Sequence, residues 1–216
     1  RASSTLPEPV LQARRMSAKE TDYPAIREIH EAGINRAESM EQRACTEREM
    51  INELGITTKA WTPIRSPSSW PEVFDYPDAV FRRRSRRNFV NRALSNLELN
   101  ALLRSVSIND RSPYDQSVAV GFLVGQAEGM EPGFYLLDGK RDSWALVNPG
   151  QFMTRSTSIC LDQAWLKNAG VHVLFLTNLE VLEKTWGPRG YRYAMLTAGR
   201  LGQRLYVAAE VMGLGC

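Results

Sequence analysis

The chain has 216 residues, of which 43% are hydrophobic and 24% are charged, as in ordinary globular proteins. Lysine and arginine number 27 against 24 acidic residues. The formal net charge of only +3 excludes a strongly basic protein that binds nucleic acid over its whole surface. The longest apolar run, VHVLFL, is far shorter than the roughly 18 residues that identify a membrane-spanning helix. The first ten residues, RASSTLPEPV, lack the apolar core of a signal peptide.

The cysteine pattern favours a reducing compartment. Cys45, Cys160 and Cys216 are odd in number and far apart, and they form neither a C-x-x-C pair nor a metal-ligand spacing. We therefore expect a cytoplasmic protein without a metal site.

Residues 1–80 are predicted to form an N-terminal arm followed by a crossing segment. A short helix begins after Pro24, with Ile26 and Ile29 three residues apart and Gly33 as its stop. Residues 58–80 contain four prolines and two tryptophans, a composition that forbids a long helix or a central strand. We interpret this stretch as an ordered segment whose aromatic side chains hold it against a neighbouring surface, with an extended linker as the alternative.

Residues 81–216 are predicted to form the organised domain. Ser95 and Glu98 make a capping box that opens a leucine-rich helix. Strands are predicted over 118–125, on both sides of an Asp138-Gly139 turn, and over 171–178, the last of them buried. A long helix over 191–213 ends at Gly213, a favourable C-terminal cap.

The stretch FRRRSRRNFV places five arginines in the six positions 82–87. Phe81 and the Phe89-Val90 pair bracket this run as apolar anchors, which argues against a merely solvated basic face. The rest of the chain lacks the further basic stripe that nucleic acid would require, so we expect no nucleic-acid partner. A site for one phosphate group is the remaining interpretation, because guanidinium forks and a serine hydroxyl bind phosphate oxygens well.

Two sequence blocks resemble a known family. RRSRRNFVNRALSNLELNALLRSV resembles the opening of nitroreductase-family flavoproteins, through a set of eight positions: Arg83, Arg84, Ser85, Arg87, Phe89, Ser95, Glu98 and Leu99. CLDQAWLKNAGVHVLFLTNLE and GPRGYRYAMLTAGRLGQRLYVAAEVMGLGC are similar to the SagB-type, azoline-oxidase-like dehydrogenases of that family. The segment EGMEPGFYLLD also matches the middle hairpin of that subgroup, so three motifs occur in the right order.

The resemblance implies an α+β, nitroreductase-like fold: a mixed sheet of four or five strands wrapped by helices, in a homodimer or beside a tandem partner domain. It also implies bound FMN, with NAD(P)H as the electron donor. By similarity, Arg83 and Ser85 hold the phosphate and ribityl end, Arg84 lies alongside them, and Arg87 lies near the pyrimidine edge. Arg82 and Arg86 are expected to be solvent-exposed.

Other residues carry weaker expectations. Tyr191 and Arg189 are candidate catalytic residues that contact substrate or flavin, with a cap on the long helix as the alternative. His30 and His172 have no nucleophile or metal-ligand partner at a useful spacing in the sequence, so no catalytic role is assigned to either. Thr185-Trp186 stands where azoline oxidases carry a Lys-Tyr pair, and neither residue is a general base near neutral pH.

The sequence therefore predicts an FMN-dependent NAD(P)H oxidoreductase acting on a small-molecule or peptide substrate. Nitroaromatics, quinones and peptide heterocycles all remain open as substrates. The alternative is a flavin-free scaffold, or half of a tandem protein, used for dimerisation or peptide binding. That alternative is favoured by the family's usual continuation beyond the residues that match Gly213 to Cys216, whereas the intact arginine run favours the enzyme.

Overall fold

A computed structural model of the chain describes residues 21–34, 50–58, 60–65, 74–107 and 114–216. The chain divides into two compact units, residues 1–36 and residues 37–216. In the first unit, helix α1 (Pro24–Ile34) confirms the helix predicted after Pro24 and ends one residue beyond Gly33. The predicted polar arm over residues 1–20, together with Cys45 and Trp70, lies outside the described residues.

The second unit combines six described α-helices with five strands, which confirms the α+β class. The helices are α2 (Met50–Glu53), α3 (Tyr76–Arg82), α4 (Asn96–Ser107), α5 (Met153–Ile159), α6 (Leu179–Trp186) and α7 (Gly190–Val211). The strands are β1 (Thr62–Pro63), β2 (Ala119–Val124), β3 (Gly133–Asp138), β4 (Ser143–Pro149) and β5 (Val171–Leu176). Short 3₁₀-helices cover 115–117, 164–168 and 187–189.

The sheet has the strand order β1-β4-β3-β2-β5, and all four pairings of these strands are antiparallel. The prediction of a mixed sheet was therefore wrong for the named strands. Short connections join β2 to β3 and β3 to β4, and short connections favour antiparallel neighbours. The parallel component in the described ranges is one isolated bridge, between Leu94 and Ala127.

Strand β5 is half-buried along its whole length, whereas the sequence predicts a buried strand. It pairs with β2 on one side and stands last in the described sheet. Hydropathy reports how apolar a strand is, not whether a neighbour covers it, so the difference reflects the position of β5 in the sheet.

Local turn chemistry follows the sequence closely. Ser95 Oγ accepts the Glu98 backbone N–H at 3.2 Å, and a Glu98 carboxylate oxygen accepts the Ser95 N–H at 2.7 Å, confirming the capping box. At the β3–β4 hairpin, Asp138 Oδ1 accepts the backbone N–H groups of Lys140 and Arg141, at 3.1 Å each. The predicted turn is thus confirmed, as a four-residue loop organised by the aspartate side chain.

The main core lies between α4 and the sheet. Leu99 and Leu103 of α4 are 1% exposed and pack with Phe122 of β2 and Tyr135 of β3. Helix α7 adds Leu201 to the same cluster. Together they fix the positions of α4, β5 and α7, the elements that form the cleft described below.

The end of α7 is a Schellman motif, as its glycine predicts. Gly213 has a φ of 69°, its N–H donates to the Glu210 carbonyl at 3.0 Å, and the Leu214 N–H donates to the Ala209 carbonyl at 2.8 Å. This reversal carries residues 214–216 back toward the arginine run.

Candidate functional site

A cleft of about 970 Å³ separates the ends of α4 and α7 from β5 and the 3₁₀-helix at 164–168. Much of its lining is apolar and comes from three elements: Leu99, Leu102 and Leu103 of α4, Val171 and Val173 of β5, and Leu205 of α7. Another part of the wall is the arginine segment, which we define as residues 82–87. The cleft therefore joins an apolar surface to a cationic one.

The arginine segment is tied down at both ends. The Arg83 N–H donates to the Ala79 carbonyl at 3.1 Å, at the end of α3, and the Arg86 N–H donates to the Cys216 carbonyl at 2.8 Å. Beyond the segment, the Phe89 ring lies against Trp165 with centroids 5.8 Å apart. Backbone hydrogen bonds thus position the segment on two neighbouring elements.

The expected apolar anchors hold only in part. Phe89 is half-buried against Trp165, as predicted, but Phe81 is 78% exposed and Val90 is 75% exposed. Anchoring of the arginine segment therefore comes from hydrogen bonds more than from flanking hydrophobic side chains.

Arg83 and Ser85 converge on one side chain, Tyr206 of α7. The Arg83 guanidinium carbon lies 5.2 Å from the centroid of the Tyr206 ring, within the range of a cation–π contact. Ser85 Oγ lies 3.2 Å from Tyr206 Oη. The Arg83 Nε–H is buried and has no acceptor among the described residues.

The other arginines of the segment divide into two groups. Arg84 turns away, since its Nη1 donates to the carbonyls of Phe81 (2.7 Å) and Arg83 (2.9 Å), and it does not line the cleft. Arg82 lines the cleft but lies 3.4 Å from the Glu210 carboxylate. Arg86 and Arg87 are exposed and line it.

Of the four predicted cofactor-binding residues, the structure thus places Ser85 and Arg87 in the cleft wall. Arg83 does not line the cleft but contacts Tyr206, the same side chain that Ser85 contacts. Arg84 is bonded to main-chain carbonyls instead. Tyr206 itself is the site residue that sequence reasoning missed. A tyrosine within a helix pattern gives no sign that it faces a segment 121 positions away.

A second polar pair, Ser156 and His172, also lines the cleft. His172 Nδ1 lies 2.9 Å from Ser156 Oγ, and Nε2 lies 2.9 Å from the Leu166 carbonyl oxygen. A carbonyl only accepts, so Nε2 carries the proton. Ser156 Oγ also lies 2.8 Å from the Met153 carbonyl oxygen, so its one hydrogen has two acceptors within reach, that carbonyl and Nδ1 of the neutral ring. Burial lowers the pKa of His172, which favours this neutral form. The expectation that this histidine has no serine partner was wrong, because β5 and α5 bring together residues that lie 16 positions apart.

The candidate catalytic residues Tyr191 and Arg189 do not line the cleft. Tyr191 is 54% exposed on α7. Its neighbour Tyr193 stacks on Tyr114 with centroids 3.9 Å apart and meets Trp186 edge-on at 6.0 Å. A hydrogen bond with Tyr193 raises the pKa of Tyr114. These ring contacts pack the first turns of α7 against Tyr114 and Trp186.

No group of three or more histidine, cysteine, aspartate or glutamate side chains in the described part of the chain could hold a metal ion. None of the helices in the described ranges is both long enough and apolar enough for a membrane crossing.

Comparison with known proteins gives one consistent family. Residues 80–216 match the nitroreductase family. The chain is 24% identical over 153 residues to a candidate nitroreductase of Methanocaldococcus jannaschii, covering 67% of this chain and 77% of that one. It superposes on the crystal structure of a candidate nitroreductase from Anabaena variabilis with a TM-score of 0.63 and 26% identity. That match covers 72% of this chain and 35% of the other, so this chain spans about a third of the cyanobacterial protein.

Proposed function

Because the chain belongs to the nitroreductase family, we propose that it is an FMN-dependent oxidoreductase of the SagB type. In this proposal NAD(P)H supplies the electrons, and a small-molecule or peptide substrate accepts them. The observation that carries the proposal is the cleft, whose apolar lining meets the cationic arginine segment. A flavin mononucleotide has the matching shape, a flat apolar ring system joined to a phosphate.

The charges around the cleft fit an anionic group. Arg86 and Arg87 are exposed cations in its wall, and Ser85 adds a hydroxyl. Glu210 is the one carboxylate among the described lining residues, and Arg82 lies 3.4 Å from it. Arg83 does not line the cleft itself, and its buried Nε–H has no acceptor among the described residues.

Each residue then has a distinct task. Ser85 donates to the phosphate end, and Arg83 adds charge beside it. Arg87 lies near the pyrimidine edge, where a cation stabilises the negative charge of reduced flavin. Arg84 can donate to the phosphate only if it gives up its two hydrogen bonds to main-chain carbonyls. The leucines of α4 exclude water from the ring system, which strengthens the electrostatic effect of nearby cations. When bound, FMN supplies the hydride chemistry that no side chain provides.

The assignment to the SagB type draws support from the meeting of two motifs. Cys160 and Gln163 belong to the second block of resemblance, and both line the cleft with Ser85 and Arg87 of the first block. Cys160 is exposed. Two sequence blocks about 75 positions apart thus contribute to one surface.

Thr185 and Trp186 disfavour the formation of azole rings in peptides. Thr185 Oγ1 donates to the Val181 carbonyl at 2.7 Å, and Trp186 is 9% exposed in the core beside α7. Neither offers a general base to the cleft. Among the open substrates, we therefore favour a hydride acceptor that needs no deprotonation by the chain, such as a quinone or a nitroaromatic compound.

We further propose that the protein forms a homodimer or pairs with a tandem domain through the outer face of α7. Tyr191, Met195 and Leu196 on this helix are 54%, 56% and 67% exposed. Gly199 follows on the same helix, and a Cβ there would contact nothing within 4 Å. Light scattering coupled to size-exclusion chromatography tests this: we expect twice the chain mass, and Leu196→Glu should yield the monomer.

The flavin-free scaffold remains a second candidate function, favoured by one observation. Arg82 and Arg84 are satisfied by Glu210, Asp78 and main-chain carbonyls, so part of the arginine segment is already internally paired. A segment that only braces α3 against α7 would show such pairing.

An absorption spectrum separates the two functions. The purified chain is mixed with FMN, desalted, and scanned for the flavin band near ~450 nm, and NADH or NADPH is then added anaerobically. The oxidoreductase retains the band and bleaches it with one of the two donors. A colourless protein that retains no FMN after desalting contradicts the proposal and supports the scaffold.

A further inference from the structure

We infer that Tyr206 is a positioning residue that prepares the arginine segment to bind a phosphate group. Its hydroxyl orients Ser85 as a hydrogen-bond donor, and its ring face holds the Arg83 guanidinium beside that donor. The inference rests on the proposed function, because it concerns the phosphate end of the proposed FMN.

Tyr206 is well placed for this task because it stands on a long packed helix, whereas most of the arginine segment has no regular secondary structure. The tyrosine lies five residues before the end of a 22-residue helix and is half-buried. The segment it faces has no regular secondary structure between Arg83 and Asn91. A side chain on a packed helix therefore defines the position of two side chains on an extended stretch.

The hydroxyl contact has a preferred direction. Ser85 Oγ and Tyr206 Oη lie 3.2 Å apart, and a phenol is a more acidic donor than an aliphatic alcohol. When Tyr206 donates, the single hydrogen of the serine hydroxyl stays available for another acceptor. A phosphate dianion only accepts hydrogen bonds, so this arrangement is the one that leaves Ser85 ready for it.

The ring contact acts on Arg83. Its guanidinium carbon lies 5.2 Å from the ring centroid, so the side chain is held against α7 instead of extending into solvent. The restraint reduces the side-chain entropy that an arginine otherwise loses when it binds a ligand. Its buried Nε–H has no acceptor among the described residues, and the restrained guanidinium keeps its positive charge beside Ser85.

One consequence separates this role from a general structural one. If Tyr206 acts only through Ser85 and Arg83, it contributes to binding of the phosphate and not of the isoalloxazine ring. Loss of Tyr206 should then weaken FMN binding while leaving binding of riboflavin, which has no phosphate, unchanged. A tyrosine that merely supports the fold would affect both ligands equally.

The experiment compares FMN and riboflavin dissociation constants, by quenching of flavin fluorescence, for the full chain and its variants. We expect the wild type to prefer FMN. Tyr206→Phe keeps the ring and should weaken FMN binding by about 3- to 10-fold, the effect of one hydrogen bond. Tyr206→Leu loses both contacts and should weaken it by about 10- to 50-fold. Tyr206→Phe should have little further effect when combined with Ser85→Ala, because the hydroxyl acts through that serine.

Tyr76→Phe is the matched control, since it removes an exposed phenol on α3 outside the cleft. A wild type that binds no flavin, or binds both flavins equally, overturns the proposed function and this inference with it. A wild type that prefers FMN, with Tyr206 variants that keep this preference, overturns the inference alone. If Tyr206→Leu does not fold, as judged by circular dichroism, the more conservative Tyr206→Phe and the double variant decide the question.

Discussion

Ser156 Oγ lies 2.9 Å from Nδ1 of His172 and 2.8 Å from the Met153 carbonyl oxygen. The opposite ring nitrogen, Nε2, donates its proton to the Leu166 carbonyl, and burial favours the neutral ring, in which Nδ1 carries no proton. This pair joins α5 to β5 at the wall of the cleft, where a proton added to Nδ1 would place a positive charge on a half-buried ring.

Stability should therefore fall in mild acid. Burial lowers the pKa of His172 below its usual 6.5, so the unfolded chain takes up this proton at a higher pH than the folded one. The stability that the neutral His172 contributes is fully present above about pH 6.5, and it declines as the pH falls toward the pKa of His172 in the folded chain. Urea unfolding at pH 7.5 and pH 5.5 should show a smaller decline for His172→Gln than for the wild type.

The control for that experiment is His30→Gln, which removes the other histidine, on the exposed helix α1. It keeps the Ser156–His172 pair and should keep the wild-type response to acid. An equal response in all three proteins would contradict a buried, neutral imidazole at position 172.

Glu98 should stabilise α4 only while it is ionised. Its carboxylate accepts from Arg92 Nη2 at 2.9 Å and from the Ser95 N–H, and the Arg92 bond in particular lowers the pKa of Glu98 below its usual 4.5. The contribution is present above pH 4.5 and is lost as the pH falls through the lowered value. Glu98→Gln should cost about 1 kcal/mol of unfolding free energy at pH 7, and less at pH 3.

Ser95→Ala tests the other half of the same cap and should cost about 1 kcal/mol, because the Glu98 N–H loses its acceptor. The loss should persist at pH 3, since a hydroxyl does not titrate there. Equal pH dependence for the two variants would show that the charge of Glu98 is irrelevant to the cap.

Arg83 should contribute to cofactor affinity. Replacement by alanine removes the guanidinium held on Tyr206 and should weaken FMN binding by at least ~1.5 kcal/mol, the value of a charge-assisted hydrogen bond. Arg141→Ala is the matched control, because this arginine lies in the β3–β4 hairpin and does not line the cleft. An unchanged flavin titration in Arg83→Ala would remove this residue from the site.

Two glycines of α7 should respond to alanine in opposite directions. At Gly190 an added Cβ would lie 2.6 Å from the Leu182 carbonyl oxygen, so Gly190→Ala must push α6 and α7 apart and should cost about 1–3 kcal/mol. At Gly199 nothing lies within 4 Å, and Gly199→Ala should stabilise the helix by roughly 0.5–1 kcal/mol. The unfolding temperatures of the two variants measure both effects. If the two temperatures shift in the same direction from that of the wild type, this packing is contradicted.

Features specified by neighbouring residues were predictable from the sequence. The Ser95–Glu98 cap, the Asp138 turn and the Gly213 terminus each depend on groups within five positions of one another, and all three are confirmed. Their interactions form whenever the local backbone does, so a short motif is sufficient evidence for them.

The detailed arrangement of the site was not predictable in the same way. Neighbouring arginines have similar sequence contexts, yet Arg83 lies on Tyr206, Arg84 bonds main-chain carbonyls and Arg87 lines the cleft. The partners that distinguish these arginines are Tyr206, which lies on α7, and main-chain carbonyls whose orientation depends on the folded backbone. The Ser156–His172 pair likewise needs the folded sheet, because no helix or strand period brings those two positions together.

The hydrogen bond from the Arg86 N–H to the Cys216 carbonyl also constrains the order of folding. It closes a loop of about 130 residues, and the entropic cost of closing a loop grows with its length. The Arg83 contact with Tyr206 closes a loop almost as long. On the ribosome, α4 and the β3–β4 hairpin can form as they emerge, whereas the arginine segment must wait until α7 and Cys216 have been synthesised. The arginine segment is thus expected to become ordered after α4 and the β3–β4 hairpin.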